Sequence, residues 1–152
     1  MSRAERAKQY FENGYNCAQA VALAFTDITG LSEDNLAKIT LPFGGGLGRL
    51  RLTCGAVSGM ACVVGMVFGE ATLGAENKKR TYAIVQELCT ELTQINGSII
   101  CGELLAGVKV PVEVGGEAEA RTPAYYKKRP CAELVYETAR VLEEFLIKEG
   151  KI

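Results

Sequence analysis

The chain has 152 residues, a length at which a single domain can bury a substantial hydrophobic core. Its 17 basic and 18 acidic residues give a formal net charge of −1, so charge provides no reason to expect binding to nucleic acid or to an anionic membrane. Histidine is absent, which excludes histidine-dependent catalysis and metal sites with an imidazole ligand, and this leaves the six cysteines as the main candidates for chemistry near neutral pH.

The N-terminal part of the chain is predicted to form three helices. Its first residues are charged and lack the apolar core of a secretion signal, so we expect a cytoplasmic protein without a permanent disulfide framework. Capping-box patterns begin at Ser2 and at Asn16, and the second helix is expected to run to Gly30. The third helix begins at Ser32 and ends before Pro42.

The segment from residue 52 to residue 69 carries no charged side chain. Its 18 residues just reach the lower limit of the roughly 17–25 that span a bilayer. Four glycines dilute its hydropathy and no aromatic belt flanks it, so we expect a central core helix and no membrane insertion. The helix is predicted to begin with Thr53 as its cap, and its spaced glycines allow another helix to approach closely.

The C-terminal half of the chain is also predicted to be helical. Apolar residues recur at steps of three and four from Glu76 to Ile95, a short turn of helix follows at Cys101, and a final helix begins at about Pro130. Only VKVPVEV alternates like a strand, and Pro111 favours an edge strand or an extended loop there. The irregular connection 107–129 is expected to be a functional flap or a mobile segment.

These elements predict an all-α fold. Residues 1–152 form one domain, a bundle of five or six helices around the glycine-rich apolar helix.

The cysteines fall into two groups. Two of them, Cys62 and Cys89, lie on apolar helix faces and are interpreted as small buried hydrophobic residues. The others lie at predicted helix starts, where unpaired N–H groups lower a thiol pKa and suit either a metal centre or a reactive dithiol. No CxxC pair is present, so a shared site has to be assembled by the fold. The four helix-start cysteines are Cys17, Cys54, Cys101 and Cys131.

A glycine-rich loop precedes the central helix. Its glycines let the backbone approach a buried anion, and Arg49 or Arg51 can add positive charge. Arg51 occupies the place of the third glycine in the dinucleotide-binding pattern, which disfavours nucleotide binding, and a tight turn between helices is the alternative reading. The candidate cofactor-binding residues are Gly44, Gly45, Gly46, Gly48, Arg49 and Gly55.

Four stretches of the chain resemble one protein family. They are YNCAQAVALAF, then FGGGLGR leading into TCGAVSGM, then CGELLAG, then RPCAELVYETARVLEE. In this order they are similar to the redox-active proteins named for a C-GCAxxC-C-C cysteine pattern, whose hallmark CGAxxG motif occupies residues 54–59.

The resemblance spans roughly Tyr10 to Leu146. It implies a prokaryotic redox-active protein, often encoded near transporter genes and similar to a domain found with a cytochrome. It also implies that the four characteristic cysteines of the family are Cys17, Cys54, Cys101 and Cys131.

Several functions remain open. The first is an electron-transfer protein whose four helix-start cysteines bind an iron–sulfur cluster, for example 2Fe–2S, and which serves an unidentified redox partner protein. The second is a metal-free thiol–disulfide protein with Cys54 as the nucleophile and Cys17 or Cys131 as the resolving partner. The third is a structural zinc site in a helical partner-binding module. Enzymatic status and homo-oligomerisation stay open, and Tyr125–Arg129 is expected to be a solvated loop, not a nucleic-acid patch.

Overall fold

The computed structural model describes residues 1–152. It contains nine α-helices, one short 3-10 helix and no strand, which confirms the all-α class. The helix number exceeds five or six because short helices carry too few apolar repeats to be recognised from sequence. The helices are α1 (Arg3–Glu12), α2 (Cys17–Leu23), α3 (Thr26–Thr29), α4 (Glu33–Thr40), α5 (Gly55–Phe68), α6 (Ala75–Asn96), α7 (Cys101–Gly107), α8 (Pro123–Lys128) and α9 (Cys131–Lys148), and the 3-10 helix is Leu41–Phe43.

Helix α5 lies at the centre of the bundle, as predicted. It contacts α2, α6 and α9, while α1 packs across α2 and α9. The helix has 14 residues, fewer than the roughly 17 that a membrane span needs. None of the helices combines the length and the apolar character required to cross a bilayer.

The close approach of α2 to α5 depends on Gly59. A Cβ at this position would collide with the carbonyl oxygen of Ala18 and lie 3.0 Å from the Ala18 Cα. One turn earlier, a Cβ at Gly55 would lie 3.2 Å from the Cβ of Cys17. The missing side chains on α5 therefore let the start of α2, with Cys17, pack directly against the start of the central helix.

The N-terminal helices begin where the sequence predicts. Ser2 and Asn16 form capping boxes, and Ser32 accepts a hydrogen bond from the third residue of α4. The predicted second helix is interrupted and forms α2 and α3 instead. At the break the hydroxyl of Thr26 donates to the carbonyl of Leu23 at 2.8 Å, so a side chain takes the place of a continuing helical bond.

Helix α5 begins one residue later than predicted. Its N-cap residue is Cys54 and not Thr53. Thr53 instead pairs with Ile100 in an isolated antiparallel bridge. This bridge ties the start of α5 to the start of α7, which lie far apart in the sequence.

Residues 108–122, here called the connecting segment, join α7 to α8 without regular structure. The segment is an extended loop and not an edge strand. Two arginines of the glycine-rich loop hold it: Arg49 Nε donates to the Gly115 carbonyl at 2.9 Å and Arg51 Nε donates to the Glu113 carbonyl at 2.8 Å. The segment is therefore fastened over the same loop that precedes α5.

Candidate functional site

Four thiols line one cavity of about 350 Å³. Three of them belong to the first residues of α2, α7 and α9, and the fourth belongs to the residue directly before α5. Because helix starts carry unpaired N–H groups, the cavity is bordered by the positive ends of four helices. The cysteines that line it are Cys17, Cys54, Cys101 and Cys131.

The glycine-rich loop that borders this cavity has a left-handed backbone. The φ angle is positive at every residue from 45 to 49 and again at Arg51. Leu47, Arg49 and Arg51 carry side chains, and residues with a Cβ adopt this conformation at a cost. The loop is thus wound tightly, with two arginines held in unusual backbone conformations beside the thiols.

Most N–H groups of this loop are not available to a ligand. Those of residues 47–52 donate to carbonyls of the loop or of the preceding 3-10 helix, whereas those of Gly45 and Gly46 have no acceptor within the protein. A Cβ at Gly46 would lie only 2.6 Å from the Cβ of Cys101, so glycine is needed there to make room for the cysteine. The candidate binding residues all line the cavity: Gly44, Gly45, Gly46, Gly48, Arg49 and Gly55.

Cys17 and Cys131 influence each other's ionisation. Hydrogen bonding from the Cys17 thiol lowers the pKa of Cys131, although burial opposes the effect. The positive charges of Arg129, Arg121 and Arg51 lower it further. The same hydrogen bond, with burial, raises the pKa of Cys17 well above its ordinary value. Cys131 is therefore the more readily ionised thiol of this pair, and Cys17 the one that keeps its proton.

Cys54 does not have the low pKa that its position at a helix start predicts. Burial removes water from its thiolate and raises the pKa of Cys54 to about 12. The N–H groups of Ala56 and Val57 favour the thiolate and offset only part of this effect. The interpretation of Cys54 as the low-pKa nucleophile is therefore wrong, because desolvation outweighs the helix start.

Cys54 and Cys101 are held beside each other by main-chain bonds. The Cys54 N–H donates to the Ile99 carbonyl at 2.7 Å, and the Cys101 N–H donates to the Leu52 carbonyl at 2.6 Å. These bonds flank the bridge between the starts of α5 and α7. The four thiols thus form two neighbouring pairs. Cys17 and Cys131 interact through their side chains, and Cys54 and Cys101 are held together by backbone hydrogen bonds.

Positive charge exceeds negative charge around the cavity. The only carboxylate in its lining is Glu119, which pairs with Arg129. Arg51 and Arg121 form no salt bridge, although only 8% of Arg51 is exposed. Since buried charges in proteins are normally paired, this lining favours an anion in the cavity. The arginines that line it are Arg49, Arg51, Arg121 and Arg129.

Sequence reasoning missed three lining residues. Arg121, Tyr125 and Arg129 were assigned to an irregular connection or a solvated loop, but α8 and its flanks bring them to the cavity. Arg121 is anchored by its guanidinium, which lies 4.3 Å from the ring centroid of Phe11. The one signal in the sequence was positive charge next to a thiol, since Arg129 precedes Cys131 by two residues.

The thiols do not converge on a single point. No group of three or more cysteine, aspartate or glutamate side chains is arranged to hold one metal ion. Cys62 and Cys89 lie outside the cavity on α5 and α6, and they are half-buried where full burial was expected.

Comparison with known proteins gives one match. A family model described as "Putative redox-active protein (C_GCAxxG_C_C)" matches residues 15–145, which include all four cysteines of the cavity. The central block of that pattern ends in glycine, as the motif of this chain does at Gly59, so the form C-GCAxxC-C-C with a final cysteine in that block is wrong. The block begins with Gly-Cys, whereas this chain has Cys54 followed by Gly55. Neither the curated proteins nor the solved structures contain a significant match. The chain therefore belongs to the C_GCAxxG_C_C family.

Proposed function

We propose that this redox-active protein transfers electrons through an iron–sulfur cluster of the 2Fe–2S type bound by Cys17, Cys54, Cys101 and Cys131. The observation that carries the proposal is that all four thiols line one cavity whose other charges are mainly positive. When bound, such a cluster supplies reversible one-electron transfer.

The chemistry of the donor set fits this group. The chain has no histidine, so thiolates are the soft ligands that it offers, and four of them reach the cavity. A binuclear cluster takes two thiolates at each iron, so it needs no point at which three ligands meet. The pairing of Cys17 with Cys131 and of Cys54 with Cys101 suits it, whereas a zinc ion needs four ligands around one point.

The charges around the cavity support the same conclusion. A cluster held by four thiolates is anionic, and the cations of Arg51 and Arg121 have no carboxylate partner to neutralise them. The free N–H groups of Gly45 and Gly46 add two further donors in the lining. The arginines would neutralise the bound anion and the amides would donate hydrogen bonds to it. The connecting segment would cover the cavity from the side of the glycine-rich loop.

Purification without oxygen tests the proposal. The protein is expected to be brown and to contain equal amounts of iron and acid-labile sulfide. Serine in place of any one of the four cavity cysteines should abolish or strongly reduce both, and Cys62→Ser and Cys89→Ser are the matched controls that should retain them. Colourless oxygen-free protein that stays colourless after reconstitution with iron and sulfide would rule the cluster out.

The contact between Cys17 and Cys131 supports a second candidate, a metal-free thiol–disulfide couple. In that chemistry the Cys131 thiolate attacks one sulfur of a partner disulfide, which forms a mixed disulfide and releases one partner thiolate. Cys17 passes its proton to the released partner thiolate and attacks the Cys131 sulfur, which expels the second partner sulfur as a thiolate. The partner thus leaves with two electrons, takes its second proton from water to become a dithiol, and this chain keeps a disulfide. Mass spectrometry after mild oxidation of metal-free protein should find a Cys17–Cys131 disulfide and the loss of two thiols. A disulfide elsewhere contradicts this candidate.

A further inference from the structure

We propose that Arg51 is a positioning residue that raises the reduction potential of the four-cysteine site through the sulfur of Cys101, and that the connecting segment holds it in place. The inference rests on the proposed function, since the potential concerned is that of the cluster site.

The side chain of Arg51 joins a thiol to the connecting segment. Its Nη1 donates to the Cys101 Sγ at 3.7 Å, within the range of a hydrogen bond to sulfur, and its Nε donates to the Glu113 carbonyl at 2.8 Å. Only 8% of the residue is exposed. The guanidinium is therefore fixed between a ligand of the site and the loop that covers it.

The backbone of Arg51 is held in a conformation that arginine seldom adopts. Its φ angle is 61°. Its N–H donates to the Gly45 carbonyl at 3.1 Å, and its carbonyl accepts the N–H of Gly102 at 3.0 Å. Strained backbone conformations are concentrated at functional sites, so the strain at a residue that contacts a site thiol indicates a role in that site. Here the strained conformation is what directs the side chain toward Cys101.

The effect on potential follows from charge. Hydrogen bonds to the ligand sulfurs and the net charge near a cluster both set its reduction potential. Arg51 supplies a donor and a positive charge that no carboxylate neutralises, and both stabilise the site more after it gains an electron. Removal of Arg51 should consequently lower the potential.

Arg49 provides a matched comparison within the same loop. Its φ angle is 64°, and its Nε donates to the Gly115 carbonyl of the connecting segment at 2.9 Å. Its Nη2 lies 4.0 Å from a carboxylate oxygen of Glu113, and its guanidinium donates to no sulfur. Arg49 thus shares the loop, the strain and the segment with Arg51, but it lacks the thiol contact and has a neighbouring negative charge.

The experiment is a potentiometric titration of oxygen-free holoprotein for Arg51→Gln, Arg51→Lys and Arg49→Gln, followed by the visible absorption of the cluster. We expect the midpoint potential to fall clearly in Arg51→Gln, to fall less in Arg51→Lys because the charge remains, and to change least in Arg49→Gln. Resonance Raman bands of the iron–cysteine bonds should shift in Arg51→Gln and shift less in Arg49→Gln, because Arg49 donates to no sulfur. A potential equal to that of the wild type in Arg51→Gln, with full iron and sulfide content, overturns the inference.

Failure of the proposed function gives a different result, namely wild-type protein without iron or sulfide. In that case the rate at which iodoacetamide alkylates Cys101 in metal-free protein replaces the potential. Arg51→Gln should change this rate, since the Cys101 sulfur loses the hydrogen bond from Nη1 of Arg51, and Arg49→Gln should change it less, since Arg49 donates to no sulfur. An equal change in both variants, or none in either, overturns the role of Arg51. If Arg51→Gln does not retain the cluster, the midpoint potential of Arg51→Lys is used instead. A potential of Arg51→Lys equal to that of the wild type then overturns the inference.

Discussion

Alanine in place of Gly59 tests whether the site depends on the close contact between α2 and α5. The new Cβ would collide with the carbonyl oxygen of Ala18 and lie 3.0 Å from its Cα. These atoms belong to the backbone of α2, so no side chain can rotate away to make room. The start of α2 has to move, and Cys17 has to move with it.

The size of the effect follows from two opposing contributions. Exchanging glycine for alanine inside a helix stabilises it by about 1 kcal/mol, because alanine has the higher helix propensity. Forcing an extra carbon into a closely packed contact costs about 1–3 kcal/mol, and the upper end applies where backbone atoms must yield. We therefore expect Gly59→Ala to lower the free energy of unfolding by about 2 kcal/mol.

Gly65→Ala is the matched control on the same helix. A Cβ at Gly65 meets nothing within 4 Å, so the helix propensity acts alone and the variant should gain about 1 kcal/mol. Urea unfolding followed by circular dichroism measures both changes; with a slope of about 2 kcal/mol per molar urea, Gly59→Ala should unfold at about 1 M lower urea than the wild type. If Gly59→Ala is as stable as Gly65→Ala, the packing argument is refuted.

Two further predictions concern the loop and the surface. Leu47 has a φ angle of 69° and is 42% exposed, so Leu47→Gly should relieve a left-handed strain of about 1–2 kcal/mol at an entropic cost of about 0.5–1 kcal/mol, and should raise the unfolding free energy. Leu50→Gly, whose φ is not positive, should lower it, and equal effects would contradict the strain. Hydrogen bonds from Arg3 lower the pKa of Asp27 below its ordinary 3.8, so their contribution to stability is present above that value and lost as the pH falls through the folded-state pKa. Asp27→Asn should therefore have a lower free energy of unfolding in urea than the wild type at neutral pH, and an equal one in strongly acidic buffer. A difference that does not change with pH would contradict the linkage.

Local signals predicted much of the fold correctly. The capping boxes at Ser2 and Asn16 set the starts of α1 and α2 because each is satisfied by residues within one turn. The amphipathic pattern found α6, which ends at Gly97 in the left-handed conformation that favours glycine. Short helices such as α8 were not predicted, since six residues contain too few turns for a periodic pattern.

The positions of the site cysteines were also predictable, but their surroundings were not. Cys17, Cys101 and Cys131 each start a helix, and the structure places them with Cys54 in one cavity. The sequence contains nothing that indicates the left-handed backbone at Arg51, because non-glycine residues adopt that conformation only when tertiary contacts hold it there. The contact of Arg51 with a thiol therefore became visible only in the structure.

The thiol pKa values show why the helix start is an incomplete guide to reactivity. A helix start and a neighbouring cation favour a thiolate, while burial opposes it, and sequence reveals only the first of these effects. At Cys131 the donor thiol of Cys17 and nearby arginines prevail over burial and lower the pKa. At Cys54 burial prevails over two backbone N–H groups and raises the pKa to about 12. Thiols near helix starts thus differ in pKa because a hydrogen bond from Cys17 and nearby cations act on Cys131, whereas burial dominates at Cys54. Cys54 becomes a thiolate only if an anion-stabilising partner, such as iron, takes the place of its proton.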